Sequence, residues 1–349
     1  MRSSNIQLLR ALASLGVVGH HLTFYLQKYI AVGSYGGLPE VLASGVDIFF
    51  VLSGFLMAET ALRRREPGTF LRARIERVIP MYWLATLVAA LMATAGLRIF
   101  GLDGVSPGQL LESLFFLPPS GSGVAAFPIV YVGWTLNYEL LFYALFAASM
   151  WIPGEQRRLT ALFVMFCLLQ VGGLVSNNLY LRYWGSPLVI EFALGIMLSL
   201  YARTYAFSPR HAFTSIVVAA CLLAATELLD TRAELHPLRF VLWGVPAAMI
   251  VFAAISLEKH DRYLDRPWLS LLGDASFSIY LVHPFALQII GKLSLKLGLH
   301  GTLLLDAVSV LCAGSAAVLG GIFAHAQVEK PIDQWLRRRR VPINHEQRA

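Results

Sequence analysis

The stretch Asn5-Ile-Gln-Leu-Leu-Arg10-Ala-Leu-Ala-Ser-Leu-Gly-Val-Val-Gly-His20-His21-Leu-Thr-Phe-Tyr-Leu26 has the length and apolarity of a membrane span, yet it carries an arginine and a histidine pair. Ionisable groups inside a membrane helix are costly enough to mark a site. Eleven residues separate Arg10 from His21, which on a helix leaves the two side chains within about 20° of one face and about 16 Å apart along the axis. His20 falls roughly 80° off that line. With Arg10 near one membrane surface, His21 lies beyond the midplane, so one helix face joins two depths. The alternative is a snorkelling Arg10 and a structural His21 satisfied by a neighbouring helix.

The rest of the chain repeats the apolar pattern. Of its 349 residues 57% are hydrophobic and 14% charged, and the mean hydropathy is +0.63, which excludes an ordinary soluble domain. Ten segments read as spans: 5–26, 44–62, 79–98, 131–152, 159–176, 186–202, 212–229, 238–257, 273–297 and 303–328. The expected fold is all-α, a polytopic membrane protein of about ten transmembrane helices, with one transmembrane domain over 1–336 and a basic tail over 337–349. Arg10 interrupts the first apolar run, so this segment is expected to be retained rather than cleaved as a signal peptide.

Orientation follows from the basic residues. With the N-terminus inside, 20 of the 28 Lys and Arg residues fall in inner segments and 7 in outer ones, Arg10 lying within the first span. Both termini are therefore expected in the cytoplasm, and the net charge of +7 reflects this bias rather than nucleic-acid binding. The run Arg337 to Arg340 suits anionic lipid headgroups. Cys167, Cys221 and Cys312 fall inside spans and are expected to be free thiols.

Polar groups along the chain mark candidate sites. After a turn at Gly33-Ser-Tyr-Gly-Gly-Leu-Pro39, Asp47 enters the second helix from the outside, at a depth that His21 could reach. It could orient an imidazole, or cap the helix in competition with Ser44. On the inner side, Arg74 and Arg77 are spaced i, i+3 at the start of a helix, and guanidinium forks suit phosphate groups. Positive-inside charge is the other reading, and the better one for Arg63 to Arg65. A long outer segment, about 98–130, contains a short helix at 107–117 and the flexible stretch Pro118 to Val124, and could cover an acceptor site. Glu139, in Gly133-Trp-Thr-Leu-Asn-Tyr-Glu-Leu-Leu-Phe-Tyr143, lies about 12 Å below the outer end of its helix and calls for a proton or a cationic partner. Glu191 and Glu227 have no motif around them. In Gly273-Asp-Ala-Ser-Phe-Ser-Ile-Tyr280-Leu-Val-His283-Pro284, an imidazole precedes a proline that loosens the helix, which suits either a site or a kink.

These pieces, in this order and spacing and over essentially the whole chain, resemble the acyltransferase 3 family of polytopic bacterial membrane proteins. They are Arg10 through His21, Gly45-Val-Asp-Ile-Phe-Phe-Val-Leu-Ser-Gly-Phe55, Arg74-x-x-Arg77, Trp134-x-x-x-x-Glu139-x-x-Phe-Tyr143, Ser278-Ile-Tyr-Leu-Val-His283 and Glu329-Lys-Pro331. The resemblance implies a ten-helix enzyme of the bacterial inner membrane. It would move an acyl group, usually acetyl, from cytoplasmic acetyl-CoA to a hydroxyl of an extracytoplasmic polysaccharide or lipid-linked glycan, such as exopolysaccharide or lipopolysaccharide. Arg74 and Arg77 would then hold phosphates of coenzyme A and Arg10 the path of its thiol arm. His21 would be the general base, with Asp47 or Glu139 orienting or balancing it, and Tyr280 and His283 would be further site residues. No metal is implied. Direct transfer and a transient acyl-histidine both stay open, as do acetyl against succinyl and the identity of the acceptor sugar. The competing class is a secondary transporter, since intramembrane Arg, His, Asp and Glu also build proton relays. No repeat of the half-chains supports it, and an arginine pair confined to one inner loop suits an anionic cofactor better.

Overall fold

The computed structural model describes residues 3–31, 39–63, 66–121, 123–228 and 239–338, and among these every regular element is helical. The helices are α1 (Ser4–Tyr25), α2 (Gly45–Arg63), α3 (Pro67–Thr94), α4 (Pro107–Leu114), α5 (Trp134–Ser149), α6 (Glu155–Val175) and α7 (Leu179–Trp184). They continue with α8 (Leu188–Thr204), α9 (Pro209–Leu228), α10 (Val245–Lys259), α11 (Pro267–Lys296), α12 (Leu303–Ala324) and α13 (Lys330–Arg338). The turn at 33–38, the side chains of Arg63 to Arg65 and the tail from residue 339 lie outside the described residues.

Seven helical stretches among the described residues are long and apolar enough to cross a membrane. Each of the ten expected spans coincides with a helix among the described residues, but α1, α5 and α8 fall short of that standard, each for a physical reason. The 16 residues of α5 and 17 of α8 reach only about 24 and 26 Å at 1.5 Å per residue. Helix α1 has 22 residues and is long enough, but Asn5, Gln7, Arg10, His20 and His21 dilute its apolarity. These three helices turn many side chains inward, whereas most side chains of α6, α9 and α12 face outward and are apolar. A helix surrounded by protein can be short or polar, because its partners rather than lipid satisfy it. Cys167, Cys221 and Cys312 sit on the three outward-facing helices, exposed and unpaired.

Helix α1 is held at the centre, against α11 and α2, with α10 and α12 alongside. Its N-terminus is fixed twice over. Ser3 Oγ accepts from the Ile6 N–H at 3.3 Å, and the Glu258 carboxylate of α10 accepts from the N–H groups of Ser4 at 3.0 Å and Asn5 at 3.1 Å. A carboxylate at a helix N-terminus also complements the helix dipole. Next to α1, helices α2 and α8 cross with their backbones nearly touching. A Cβ on Gly54 would lie 2.1 Å from the Phe192 carbonyl oxygen, and one on Gly195 would lie 2.0 Å from that of Val51. Only glycine permits this approach, which brings Asp47 and Glu191 into one buried layer.

Candidate active site

Two cavities open along α1. The first, of about 100 Å³, is lined by Arg10, Arg74, Arg77, Ser53, Glu139 and Tyr143 among others. Arg77 is exposed, while Arg10 and Arg74 are half-buried. Arg74 donates to Thr60 Oγ1 and lies over the rings of Phe70 and Tyr143 at 5.5 and 5.8 Å. No hydrogen-bond acceptor among the described residues serves the guanidinium groups of Arg10 or Arg77. Glu139 is the carboxylate lining this cavity, and it accepts from the Tyr143 hydroxyl one turn on and from Ser53 Oγ at 3.4 Å. Glu329 stands near Arg10 as well, but it is engaged by Ser278 Oγ at 2.6 Å and His325 Nδ1 at 2.8 Å. Three guanidinium groups against one lining carboxylate leave the cavity positive.

The second cavity, of about 360 Å³, contains His20 and His21, with Phe24, Tyr131, Trp134 and Pro284 in its wall. Helix α1 runs unbroken between the two cavities, so Arg10 lines one and His21 the other. His20 points away from the Arg10 line, yet it too reaches the second cavity, its ring edge-on to His21 at 5.2 Å. Tyr280 lines the first cavity and lies with its ring 6.0 Å from that of His283, and so stands between the arginines and His21; its hydroxyl bonds Thr135 Oγ1 and the Val132 carbonyl, both at 2.8 Å.

The chemistry of His21 follows from its neighbours. Nδ1 of His21 is 2.9 Å from the Val17 carbonyl oxygen, and that oxygen can only accept, so Nδ1 carries the proton. His283 stands opposite, its Nε2 3.2 Å from the same Nδ1 and its own Nδ1 3.2 Å from the Ile279 carbonyl. The carbonyl likewise fixes the proton of His283 on Nδ1, leaving Nε2 as a lone-pair acceptor toward His21. Nε2 of His21 is then unprotonated, and no group among the described residues occupies it. A basic imidazole nitrogen is left free beside the cavity.

The structure does not bring Asp47 to His21. Asp47 is fully buried, and both of its oxygens are bound by Arg239, Nε at 3.0 Å and Nη2 at 2.8 Å. Among the described residues it bonds neither His21 nor the backbone at the start of α2. Arg239 also lies over the ring of Trp243 at 4.8 Å. Glu191, fully buried too, packs against Gly244 beside this pair. Glu139 likewise lies apart from His21, in the arginine cavity. The group facing His21 is His283, whose helix passes through Pro284 without a break. Glu227, the other unplaced carboxylate, accepts from the Val41 N–H ahead of α2. Among the described residues no three His, Cys, Asp or Glu side chains gather as they would around a metal ion.

A bundle with seven helical stretches long and apolar enough to cross a membrane, enclosing cavities lined by ionisable groups beside its packed apolar core, defines a multi-pass membrane protein. Residues 3–326 match the model of the acyltransferase domain called acyltransferase 3, and the chain belongs to that family. It is 34% identical over 304 residues to the exopolysaccharide production protein ExoZ of Rhizobium meliloti, covering 86% of this chain and 92% of the relative. It is 26% identical over 372 residues to the acyltransferase MdmB of Streptomyces mycarofaciens, covering 95% of this chain and 92% of the relative. Nodulation protein 10 of Rhizobium leguminosarum is 26% identical over 271 residues, covering 69% of this chain and 71% of the relative. No solved structure matches the chain.

Proposed function

We propose that this protein is an inner-membrane O-acyltransferase that moves an acyl group, in the first place acetyl, from cytoplasmic acyl-CoA to a hydroxyl of an extracytoplasmic polysaccharide or lipid-linked glycan. The observation that carries the reading is the pair of cavities along α1, one rich in arginine and one built around a free imidazole nitrogen. Family membership supports acyl transfer, and the relative named for exopolysaccharide production supports a polysaccharide acceptor. The charge bias of the loops supports a cytoplasmic side for Arg74, Arg77 and both termini.

On this reading Arg74 and Arg77 bind phosphates of coenzyme A through charge-assisted hydrogen bonds, and Arg10 lies on the path of the acyl-bearing arm. A cavity of about 100 Å³ has room for the acyl end of that arm, with the rest of the arm and the nucleotide at its mouth. Glu139, clamped by Tyr143 and Ser53, limits the charge imbalance among the arginines. Beyond Tyr280, Nε2 of His21 takes the proton of the acceptor hydroxyl as its oxygen attacks the thioester carbonyl. A C–O bond forms, the C–S bond breaks, and the departing sulfur takes the proton back from Nε2, giving an ester and free coenzyme A. While His21 is protonated, its Nδ1–H is shared between the Val17 carbonyl and His283, which spreads the charge without a carboxylate. The thioester reaches His21 once the Tyr280 hydroxyl releases Thr135 and Val132. Attack by Nε2 itself, giving an acyl-histidine that the acceptor then clears, uses the same groups.

The test is transfer of radiolabelled acetyl from acetyl-CoA to deacylated exopolysaccharide fragments by purified full-length protein. Equal amounts of acylated glycan and free coenzyme A are expected. Glycan movement across sealed vesicles without any acylated product would favour the transporter reading instead.

A further inference from the structure

The histidine cavity holds groups that removal of a hydroxyl proton does not require. Its walls carry the rings of Phe24, Tyr29, Phe100, Phe127, Tyr131 and Trp134, and among the described residues that line it there is no Asp or Glu. Lys28 is also part of the lining, on the π-helical turn Leu26–Ala31 that continues α1. We propose that Lys28 and this aromatic wall form a subsite for an anionic group on the acceptor glycan, a sugar carboxylate or the diphosphate of a lipid carrier. The proposal rests on the reading of this cavity as the acceptor site.

Three observations carry it. The Lys28 ammonium has no hydrogen-bond or carboxylate partner among the described residues and lies 5.4 Å from the centre of the Tyr29 ring. Of the other cations at this end of the bundle, Arg98 is engaged by Asp103 at 2.8 Å, Arg239 by Asp47, and Lys292 by the carbonyls of Leu97 and Arg98, while Arg182 and Lys296 lie outside the lining of this cavity. The wall itself is built to hold its shape. Tyr29 is seated on Gly291, where a Cβ would fall 2.4 Å from the ring, and Gln288 clasps the opposite rim, accepting from the Phe100 N–H at 2.7 Å and donating to the Arg98 carbonyl at 2.9 Å. Arg98 and Phe100 both hold left-handed backbone angles, φ 45° and 55°, which non-glycine residues keep only where the surroundings hold them. Finally, rings offer faces to the C–H surface of a sugar, and a lining without carboxylates leaves the charge of Lys28, exposed at the mouth of the cavity, unneutralised. A neutral glycan uses only the rings. An anionic one uses both.

The experiment uses full-length protein in nanodiscs, acetyl-CoA, and deacylated fragments of the producing cell's own exopolysaccharide. Fragments are offered before and after chemical reduction of their carboxylates, each free and linked to polyprenyl diphosphate. The wild type is expected to favour anionic over neutral acceptors about tenfold or more in kcat/KM, through KM, with the preference shrinking at high salt. Lys28→Gln is expected to bring that ratio close to one, and Lys28→Arg to keep it. Preference for carboxylate fragments identifies the polymer as the source of the charge, and preference for diphosphate-linked fragments identifies the carrier. Equal use of all four acceptors by the wild type overturns the proposal, as does a ratio that survives in Lys28→Gln. If Lys28→Gln does not fold, as judged by coenzyme A binding, a salt-independent ratio in the wild type is the overturning result. Transfer to none of the four removes the acyltransferase reading itself.

Discussion

Replacing His283 by alanine removes the ring nitrogen 3.2 Å from His21 Nδ1 and leaves the Val17 carbonyl on that same atom at 2.9 Å. The tautomer of His21 therefore survives. What is lost is one of two acceptors for a proton that belongs to a cation once Nε2 is protonated. A hydrogen bond to a charged group is worth about 1.5–3 kcal/mol. Because the charge develops only as the hydroxyl is deprotonated, the loss falls on kcat, about ten- to hundredfold at about 1.4 kcal/mol per decade. His21→Ala removes the base itself and is expected to cost about 10²–10⁴-fold. Neither change touches the arginine cavity, so KM for acetyl-CoA stays near the wild-type value. The assay is steady-state acetyl transfer by purified protein, normalised to the fraction that binds coenzyme A. A His283→Ala enzyme as active as the wild type would refute the histidine-pair argument. One as inactive as His21→Ala would transfer the role of base to His283.

Three further outcomes follow from the packing. Arg74→Ala and Arg77→Ala should each weaken coenzyme A binding about tenfold, whereas Arg72→Ala, whose exposed side chain is already paired with Glu76 at 2.7 Å, should change it little. Calorimetric titration reads both, and equal losses at all three positions would reduce the site to generic surface charge. Asp47→Asn or Arg239→Met should cost about 3–5 kcal/mol by breaking a buried pair, and the double change to leucines should recover most of it. Thermal unfolding in detergent measures this, and a stable Asp47→Asn protein that cannot transfer acetyl would restore a catalytic role to Asp47. Gly195→Ala should destabilise by about 1–3 kcal/mol or more, since the new Cβ meets the Val51 carbonyl oxygen at 2.0 Å. An unchanged melting temperature would contradict the close α2–α8 crossing.

What could be read from the sequence was what one element carries by itself. The phase of Arg10 and His21 on α1 needed only helical geometry, and the i, i+3 arginines and Glu139 announced themselves as charges where lipid should be. Long-range pairings had no such signal. His283 meets His21 across 262 positions and Arg239 meets Asp47 across 192, and no local pattern distinguishes those partners from any other polar residue. Arg239 reads in sequence as one more loop charge, yet it is the group that takes Asp47 away from His21. The span count meets a related limit, because α5 and α8 owe their apolarity to burial in protein and not only to contact with lipid. Hydropathy cannot separate those two environments.

The central claim is that donor and acceptor meet the protein from opposite sides of the membrane, with His21 between them. Sealed proteoliposomes of uniform orientation, with Arg74 facing the bath, allow acetyl-CoA and glycan to be placed on the same side or on opposite sides, and acetylated glycan to be measured. The account predicts product only with acetyl-CoA in the bath and glycan in the lumen, and none in any arrangement with His21→Ala. Product formed when both substrates are confined to the bath, or product from the His21→Ala protein, would contradict it.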